Sequence, residues 1–266
     1  MKTCLGSILT AVALAATLCA AETAPAAGYD LYLLIGQSNM AGRGKVDEES
    51  KRAHPRVFML NKDGAWVPAT DPLHFDKPSA VGVGPGLAFG KAMADANPQA
   101  KIGLIPCAVG GTAISLWTLG KLDPVTKSHP YDDAIRRAKL AQKDGVLKGI
   151  LWHQGESDRG AEAVKLYAAR LTELIERLRK ELNAPDAPFV AGELATFKEP
   201  DRESIARFNE VAQGLAKTVK RYACVSAAGL AHKGDQLHFD AASARELGKR
   251  YAAAMLELQR QSKDAK

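Results

Sequence analysis

The sequence predicts an α/β protein whose mostly parallel sheet carries helices on both faces. Three observations predict it: apolar runs recur along the chain, helical patterns lie between or after them, and no internal repeat or low-complexity linker interrupts the alternation. Strands that alternate with helices imply right-handed crossovers, which place helices on both faces of a parallel sheet. We therefore expect one large domain.

Each predicted strand is a short apolar run, and each predicted helix repeats its apolar residues at helical spacing. The predicted strands are Leu31–Ile35, Ile102–Ala108, Gly149–His153, Phe189–Glu193 and Cys224–Ala228. The predicted helices lie near Leu87–Ala96, Asp132–Lys143, Ala161–Leu182, Glu203–Tyr222 and Ala241–Leu258. A turn signal at Asn61-Lys62-Asp63-Gly64 predicts a small inserted hairpin within Val57–Pro68.

The N-terminus predicts export. Lys2 is followed by the apolar stretch Ile8–Leu18 and by the small residues Ala20 and Ala21, which is the pattern of a cleavable signal. Residues 1–21 are therefore the expected signal peptide, and residues 22–266 the single domain, with its core at about residues 29–258. We expect a secreted or periplasmic protein without a membrane partner after signal removal, because no later stretch reaches the roughly 18 apolar residues of a membrane helix.

Composition and charge exclude several classes of protein. The chain has 266 residues, of which 46% are hydrophobic and 25% charged, which argues against disorder, collagen and a coiled coil. The net charge is +6, but the basic residues alternate with acidic ones along the helices, so we expect no nucleic-acid partner. Cys107 and Cys224 each fall in a predicted core strand and are expected to be unpaired. The sequence leaves the oligomeric state open.

Polar motifs follow four of the predicted strands. They are Gly36-Gln37-Ser38-Asn39-Met40, Gly110-Gly111-Thr112, His153-Gln154-Gly155-Glu156-Ser157-Asp158 and Asp235-Gln236-Leu237-His238-Phe239-Asp240. In parallel α/β sheets, ligands bind where loops leave the carboxyl ends of the strands. We therefore expect these motifs to assemble one site.

The motifs contain the parts of a serine hydrolase. A Ser hydroxyl becomes a good nucleophile when a base takes its proton and a third group orients that base. Ser38 leaves its strand directly after Gly36, and Asp235 precedes His238 by three residues on one loop. Each feature has an ordinary structural alternative, namely a turn serine and a surface ion pair.

Acyl transfer also needs donors directed at the developing oxyanion. Gly111 offers an unobstructed backbone N–H, and Gln154 offers a side-chain amide. The alternatives are an ordinary glycine turn and a loop hydrogen bond. The Gly-x-Ser-x-Gly elbow of α/β-hydrolases is absent, because Met40 stands where its last Gly would be.

Taken together, the four motifs resemble those of the SGNH hydrolase superfamily, and more narrowly its branch of sialate O-acetylesterases and family 6 carbohydrate esterases (acetylxylan esterases). The resemblance runs from about Leu31 to Leu258. It implies a flavodoxin-like three-layer α/β/α sandwich with a five-stranded parallel sheet. It implies Ser38 as nucleophile, His238 as general base and acid, and an oxyanion hole formed by Ser38, Gly111 and Gln154. Gln37 and Gln154, where lipase-like members carry Asp and Asn, match the carbohydrate branch.

Two carboxylates compete for the third catalytic position. Asp235 is favoured as the group that orients His238 because it lies on the same loop, whereas Glu156 is expected to be supporting, or else the alternative triad acid. Gln37, Asn39 and Trp117 are candidate substrate contacts. For Trp117 and for Trp66 in the hairpin, packing beneath a loop is the favoured alternative. For Arg43, a substrate contact and a surface position stay open.

The expected function is that of an exported serine esterase that removes O-acetyl groups from an acetylated carbohydrate, acetylxylan or a related glycan, through an acetyl-enzyme. This chemistry requires no cofactor and no metal. A sialate O-acetylesterase is the alternative within the branch. A non-catalytic glycan-binding module and a metal-dependent hydrolase are rival interpretations from different classes of protein. The metal ligands would be His153, Glu156, Asp158, Asp235, His238 and Asp240, because His and carboxylates suit Zn or Mn.

Overall fold

A seven-stranded sheet organises the described part of the chain, in the order β3-β2-β4-β1-β5-β6-β7. The computed structural model describes residues 28–264, with side chains to residue 261, so the predicted signal peptide lies outside the described residues. The strands are β1 (Tyr29–Gly36), β2 (Val57–Leu60), β3 (Trp66–Pro68), β4 (Lys101–Pro106), β5 (Gly145–His153), β6 (Phe189–Gly192) and β7 (Tyr222–Val225). All neighbouring pairs are parallel except β2–β3.

Helices cover both faces of the sheet, as the alternating pattern predicts. The α-helices are α1 (Ser38–Ala41), α2 (Pro85–Ala96), α3 (Pro130–Ala141), α4 (Ala161–Glu181), α5 (Arg202–Gly214) and α6 (Ala241–Asp264). One apolar cluster joins the sheet to α3, α4 and α5, and a second joins the opposite face to α2 and α6. The large buried side chains Trp152 and Phe89 illustrate the two layers, one on each face.

The expectation of a five-stranded sheet is wrong in its strand number. The predicted hairpin does form, but it extends the same sheet, because β2 pairs in parallel with β4 through Val57 and Ile102. Gly103 of β4 leaves space at this edge: a Cβ there would lie 2.9 Å from the Trp66 ring. Trp66 itself stacks on Tyr29, with 4.4 Å between ring centroids. The turn signal reveals the hairpin, whereas its docking depends on a contact that no local pattern shows.

The predicted helix Glu203–Tyr222 is too long. The helix α5 ends at Gly214 and is followed by a 3₁₀ turn, Leu215–Lys217. Arg221 then adopts a φ of 55°, and β7 begins at the next residue, Tyr222. The apolar residues after Gly214 keep the helical spacing, so the sequence pattern extends the predicted helix. The helix ends at Gly214 because the chain must turn there to reach the sheet.

Cys107 and Cys224, the cysteines in the described part of the chain, are both free. Cys107 is buried and Cys224 is half-buried. Burial raises the pKa of the Cys107 thiol to about 11 and that of Cys224 to about 12, so both thiols stay protonated at neutral pH. Within the described part of the chain, no helix has the length and apolar character needed to cross a membrane.

Candidate active site

Gly36 brings the ends of three central strands together. Its φ is 130°, and a Cβ at this position would lie 2.2 Å from the carbonyl oxygen of His153, so no larger residue fits beside β5. The Gly36 carbonyl accepts a 2.9 Å hydrogen bond from the Val109 amide of the loop after β4, and the Gln37 amide donates to the His153 carbonyl at 2.8 Å. The loops that carry the first three motifs therefore leave the sheet side by side.

Ser38 begins the short helix α1 at this point. Ser38 is only 8% exposed to solvent. The Ser38 Oγ lies 3.0 Å from Nε2 of His238, a residue 200 positions away in the sequence. The structure therefore places the two predicted residues within hydrogen-bond distance of each other.

Asp235 completes a hydrogen-bonded chain of three side chains. Its Oδ2 lies 2.7 Å from Nδ1 of His238. Its Oδ1 accepts hydrogen bonds from the amides of Leu237 and His238 at 3.0 and 2.9 Å. Desolvation opposes ionisation, but the hydrogen bonds from the His238 amide and ring and from the Leu237 amide outweigh it and hold the pKa of the Asp235 carboxyl below its usual range. Asp235 is thus a carboxylate at neutral pH, and it leaves Nε2 of His238 facing Ser38.

The loop that carries this pair is fixed from its other end. The ring nitrogen Nδ1 of His232 accepts hydrogen bonds from the amides of Gly234 and Gln236 at 2.9 and 3.2 Å. The Lys233 amide donates to the His238 carbonyl at 2.9 Å, which closes the loop. These local hydrogen bonds explain how an exposed loop can fix the positions of Asp235 and His238 relative to each other.

Glu156 is hydrogen-bonded to Asn39, and among the described residues no hydrogen bond joins it to His238. The Nδ2 of Asn39 donates to Oε1 of Glu156 at 2.5 Å and to the Leu237 carbonyl at 3.2 Å, while its Oδ1 accepts from the Phe239 amide at 3.1 Å. Burial raises the pKa of the Glu156 carboxyl, although the bond from Asn39 opposes that shift. Asn39 therefore links Glu156 to the histidine loop, and the supporting role of Glu156 stays a prediction.

The same bonds engage both ends of the Asn39 side-chain amide, which joins Glu156 to the residues that precede and follow His238. Its substrate contact stays a prediction. Trp117 is unavailable to a sugar: it is 0% exposed, donates from Nε1 to Thr112 Oγ1 at 3.1 Å, and packs edge-on against Trp152. Its large ring is buried where it contributes to the core, the alternative that the sequence favoured.

Gln154 lies at the centre of a buried polar network. Its Nε2 is 2.6 Å from Oδ2 of Asp158, 3.1 Å from the Thr112 carbonyl and 3.1 Å from Oε1 of Gln37. Two amide hydrogens already face three acceptors, so donation to an oxyanion would require one of these bonds to be given up. The role of Gln154 in the oxyanion hole therefore stays a prediction. Gln37 accepts through Oε1, and its predicted substrate contact is untested.

The Gly110-Gly111 loop carries the second predicted donor. Among the residues described, the amide of Gly111 donates to no protein acceptor. Thr112 Oγ1 donates to the Val109 carbonyl at 2.8 Å, and the Ile114 amide donates to Asp158 Oδ2 at 2.8 Å. The loop is thus fixed on its far side, and its free amide remains available at the strand ends.

Sequence reasoning missed two residues that hold this loop. Asp76 Oδ2 accepts from the Gly110 amide at 2.7 Å, and Lys77 Nζ donates to the Gly110 carbonyl at 2.9 Å. Arg43, left open between a surface position and a substrate contact, is buried and forms a 3.0 Å ion pair with Asp76. Asp76 and Lys77 lie in an irregular segment between β3 and α2 with no recognisable motif, so no signal in the sequence marks them.

The residues of the alternative metal site do not converge. Within residues 28–261, no group of three or more His, Cys, Asp or Glu side chains is arranged to hold a metal ion. His153 is fully buried, and its Nδ1 lies 3.0 Å from the Tyr251 hydroxyl. Burial lowers the pKa of His153 to about 4, so this imidazole is neutral at physiological pH and serves the core.

Comparison with known proteins gives consistent similarities. A model of the carbohydrate esterase family described as sialic acid-specific acetylesterase matches residues 28–257. A probable carbohydrate esterase of Arabidopsis thaliana is 35% identical over 246 residues, which cover 85% of this chain and 90% of that protein. The X-ray structure of an Arabidopsis thaliana protein matches with a TM-score of 0.75 and 34% identity, over 86% of this chain and 98% of the other. NanS matches with a TM-score of 0.71 and 20% identity, over 88% and 98% of the two chains, a likeness of fold alone.

Proposed function

The chain belongs to the family of carbohydrate esterases described as sialic acid-specific acetylesterases, and we propose that it is a serine esterase that removes O-acetyl groups from a carbohydrate. The observation that carries the proposal is the hydrogen-bonded chain from Asp235 through His238 to Ser38. Family membership makes an acetylated carbohydrate the substrate class. The chain of three side chains supplies a chemical mechanism for that class.

In the first half-reaction, the Ser38 hydroxyl donates its proton to Nε2 of His238 as Oγ attacks the acetyl carbonyl carbon. Asp235 accepts the hydrogen bond from Nδ1 and stabilises the imidazolium that forms. The tetrahedral intermediate collapses when the bond to the sugar oxygen breaks, and His238 gives its proton to that leaving oxygen. The products of this step are the deacetylated sugar and an acetyl ester on Ser38.

In the second half-reaction, His238 takes a proton from a water molecule that attacks the acetyl-enzyme. A second tetrahedral intermediate forms and breaks its bond to Ser38 Oγ, which receives the proton back from His238. Acetate leaves and the enzyme returns to its starting state. No cofactor enters this sequence.

Two backbone amides support stabilisation of the oxyanion. Ser38 and Gly111 both have amides that donate to no protein acceptor in the described part of the chain. Ser38 follows β1 and Gly111 follows β4, and these adjacent strands pair in parallel. Backbone amides are effective oxyanion donors because they are fixed before the charge develops, so no reorganisation is needed during the reaction.

The proposal extends to the sugar that carries the acetyl group. We propose acetylxylan or a related glycan, with an acetylated sialic acid as the alternative that the description of the family favours. A panel of acetylated xylo-oligosaccharides and O-acetylated sialic acids, assayed by released acetate, separates the two. A ratio of kcat/KM values above about tenfold corresponds to more than about 1.4 kcal/mol of differential transition-state binding and would assign the substrate.

Export is part of the same proposal. Lys2, the apolar stretch Ile8–Leu18 and the small residues Ala20 and Ala21 support removal of residues 1–21. We expect the N-terminal sequence of the mature protein to begin near Glu22, in the periplasm or the medium. A mature protein that begins at Met1 would refute this part without affecting the esterase chemistry.

The decisive experiment measures hydrolysis of a small acetyl ester with and without a chelator. We expect activity that persists in chelator, that is abolished by Ser38→Ala, and that is retained by Ser115→Ala, an exposed serine outside the hydrogen-bonded chain. Loss of activity with the chelator alone would favour the metal-dependent alternative. Sugar binding without any hydrolysis would favour a glycan-binding module.

A further inference from the structure

The peptide group between Gly110 and Gly111 is held by charged side chains from one short segment. Lys77 Nζ donates to its carbonyl oxygen, that of Gly110, at 2.9 Å. The preceding peptide donates its N–H, that of Gly110, to Asp76 Oδ2 at 2.7 Å. Two consecutive residues of opposite charge therefore fix the glycine on both sides.

Asp76 is itself held by Arg43. The two side chains form a 3.0 Å ion pair and are 5% and 1% exposed for Arg43 and Asp76, respectively. A second Arg43 nitrogen, Nη1, donates to the Gly42 carbonyl at 2.8 Å. Position 110 has no space for a side chain, because a Cβ there would lie 2.3 Å from Nη2 of Arg43. Arg43, five residues after Ser38, thus ties the nucleophile's segment to the Gly110-Gly111 loop.

The contact from Lys77 has an electronic consequence. The carbonyl of Gly110 and the N–H of Gly111 belong to the same peptide group, whose C–N bond has partial double-bond character. A cation that accepts electron density from the carbonyl oxygen increases that character and makes the N–H a stronger donor, as in hydrogen-bond chains that polarise one another. The amide affected is that of Gly111, which donates to no protein acceptor in residues 28–261.

We propose that Lys77 is a positioning residue that aims and polarises the Gly111 N–H toward the oxyanion, with the Arg43–Asp76 pair as its rigid base. The inference rests on the proposed esterase function. Lys77 acts through the peptide group and does not touch the reacting atoms. Its contribution therefore grows as negative charge develops on the substrate oxygen, and it is small in the ground state.

The test is Lys77→Met, which removes the ammonium group and keeps most of the side-chain length. Removal of a whole oxyanion donor costs about 10²–10³ in kcat, and loss of polarisation alone should cost less, so we expect a fall in kcat of about tenfold with KM changed less than about twofold. Lys77→Arg should recover most of the activity. Lys165→Met, which removes an exposed lysine paired with Glu162 on α4, is the control for net charge.

A boronic acid that mimics the tetrahedral intermediate gives a readout that a merely structural lysine would not change. It adds to the Ser38 hydroxyl and carries negative charge, so its inhibition constant should rise by about the same factor as kcat falls, whereas inhibition by the ground-state analogue acetamide should not change. Thermal melting of each variant checks that the fold is intact.

Unchanged kcat and boronate affinity in folded Lys77→Met would overturn the inference, and so would a rise in KM alone. Failure of the proposed function would give a different result, since the Ser38→Ala variant would then be as active as the wild-type protein. An enzyme that Ser38→Ala inactivates and Lys77→Met leaves intact therefore retains the proposed function and loses only this inference.

Discussion

Replacement of Asp235 by Asn should damage the enzyme far more than replacement of Glu156 by Gln. Asp235 Oδ2 lies 2.7 Å from His238 Nδ1, whereas Glu156 reaches the same loop through Asn39. An Asn amide at position 235 can donate to Nδ1 and so favour the tautomer that carries its proton on Nε2. That tautomer cannot accept the proton of Ser38.

The expected loss in kcat/KM for Asp235→Asn is on the order of 10³- to 10⁴-fold, similar to the loss of activity that the wrong tautomer causes in serine proteases. The side chain of Asp235 is 36% exposed, so solvent screens its charge, but the tautomer effect does not depend on that charge. Lys233 Nζ lies 3.7 Å from Asp235 Oδ2, and without the carboxylate it would also oppose the imidazolium.

Glu156→Gln keeps an oxygen that can accept the 2.5 Å hydrogen bond from Asn39. A charged hydrogen bond exceeds a neutral one by about 1 kcal/mol, so the expected loss is less than about tenfold. Glu162→Gln, an exposed carboxylate on α4, is the matched control for the change to an amide.

The assay is steady-state hydrolysis of an acetylated sugar, since its poor leaving group makes the rate depend on proton transfer from His238. Circular dichroism and thermal melting confirm that each variant is folded. A larger loss for Glu156→Gln than for Asp235→Asn, with both proteins folded, would refute the reasoning and make Glu156 the acid that orients His238.

Three further predictions concern stability and the acyl group. Burial raises the pKa of Asp71 to about 7, whereas the pKa of an Asp in an unfolded chain is near 3.9. As pH rises, the unfolded state therefore releases this proton before the folded state does. Asp71 thus lowers the free energy of unfolding between about pH 4 and pH 7. Asp71→Asn should therefore increase the free energy of unfolding more at pH 8 than at pH 4.5, and the two increases should differ by about 4 kcal/mol at most. If chemical denaturation shows the same effect of the substitution at both pH values, this prediction is wrong. Gly36→Ala should lower the free energy of unfolding by about 3 to 5 kcal/mol. The added Cβ would lie 2.2 Å from the His153 carbonyl oxygen, and the backbone φ of 130° would strain an alanine. An unchanged denaturation midpoint would disprove the close approach. An acetyl ester should be cleaved much faster than an octanoyl ester of the same alcohol, and the reverse order of kcat/KM would indicate a lipase-like enzyme.

The layered α/β architecture and the position of the polar motifs can be predicted from the amino-acid sequence alone. Buried parallel strands must be continuous apolar runs, and their covering helices must repeat apolar residues at helical spacing, so both signals are local. Leu31–Ile35 and Phe189–Glu193 fall on β1 and β6, to within two residues at each end. Ser38, Asp235 and His238 also stand out locally, because each belongs to a short polar motif in a loop that follows a strand.

Which of these residues touch one another depends on the path of the whole folded chain. The bond from Asn39 to Glu156 joins positions 117 residues apart, and the Lys77 contact with Gly110 joins positions 33 apart. The burial of Trp117 and the docking of the hairpin on β4 are likewise consequences of packing between distant segments. Local propensity carries no information about such pairs, because the hydrogen-bond partner of a side chain is fixed by the path of the whole backbone and by the exclusion of water from the completed fold.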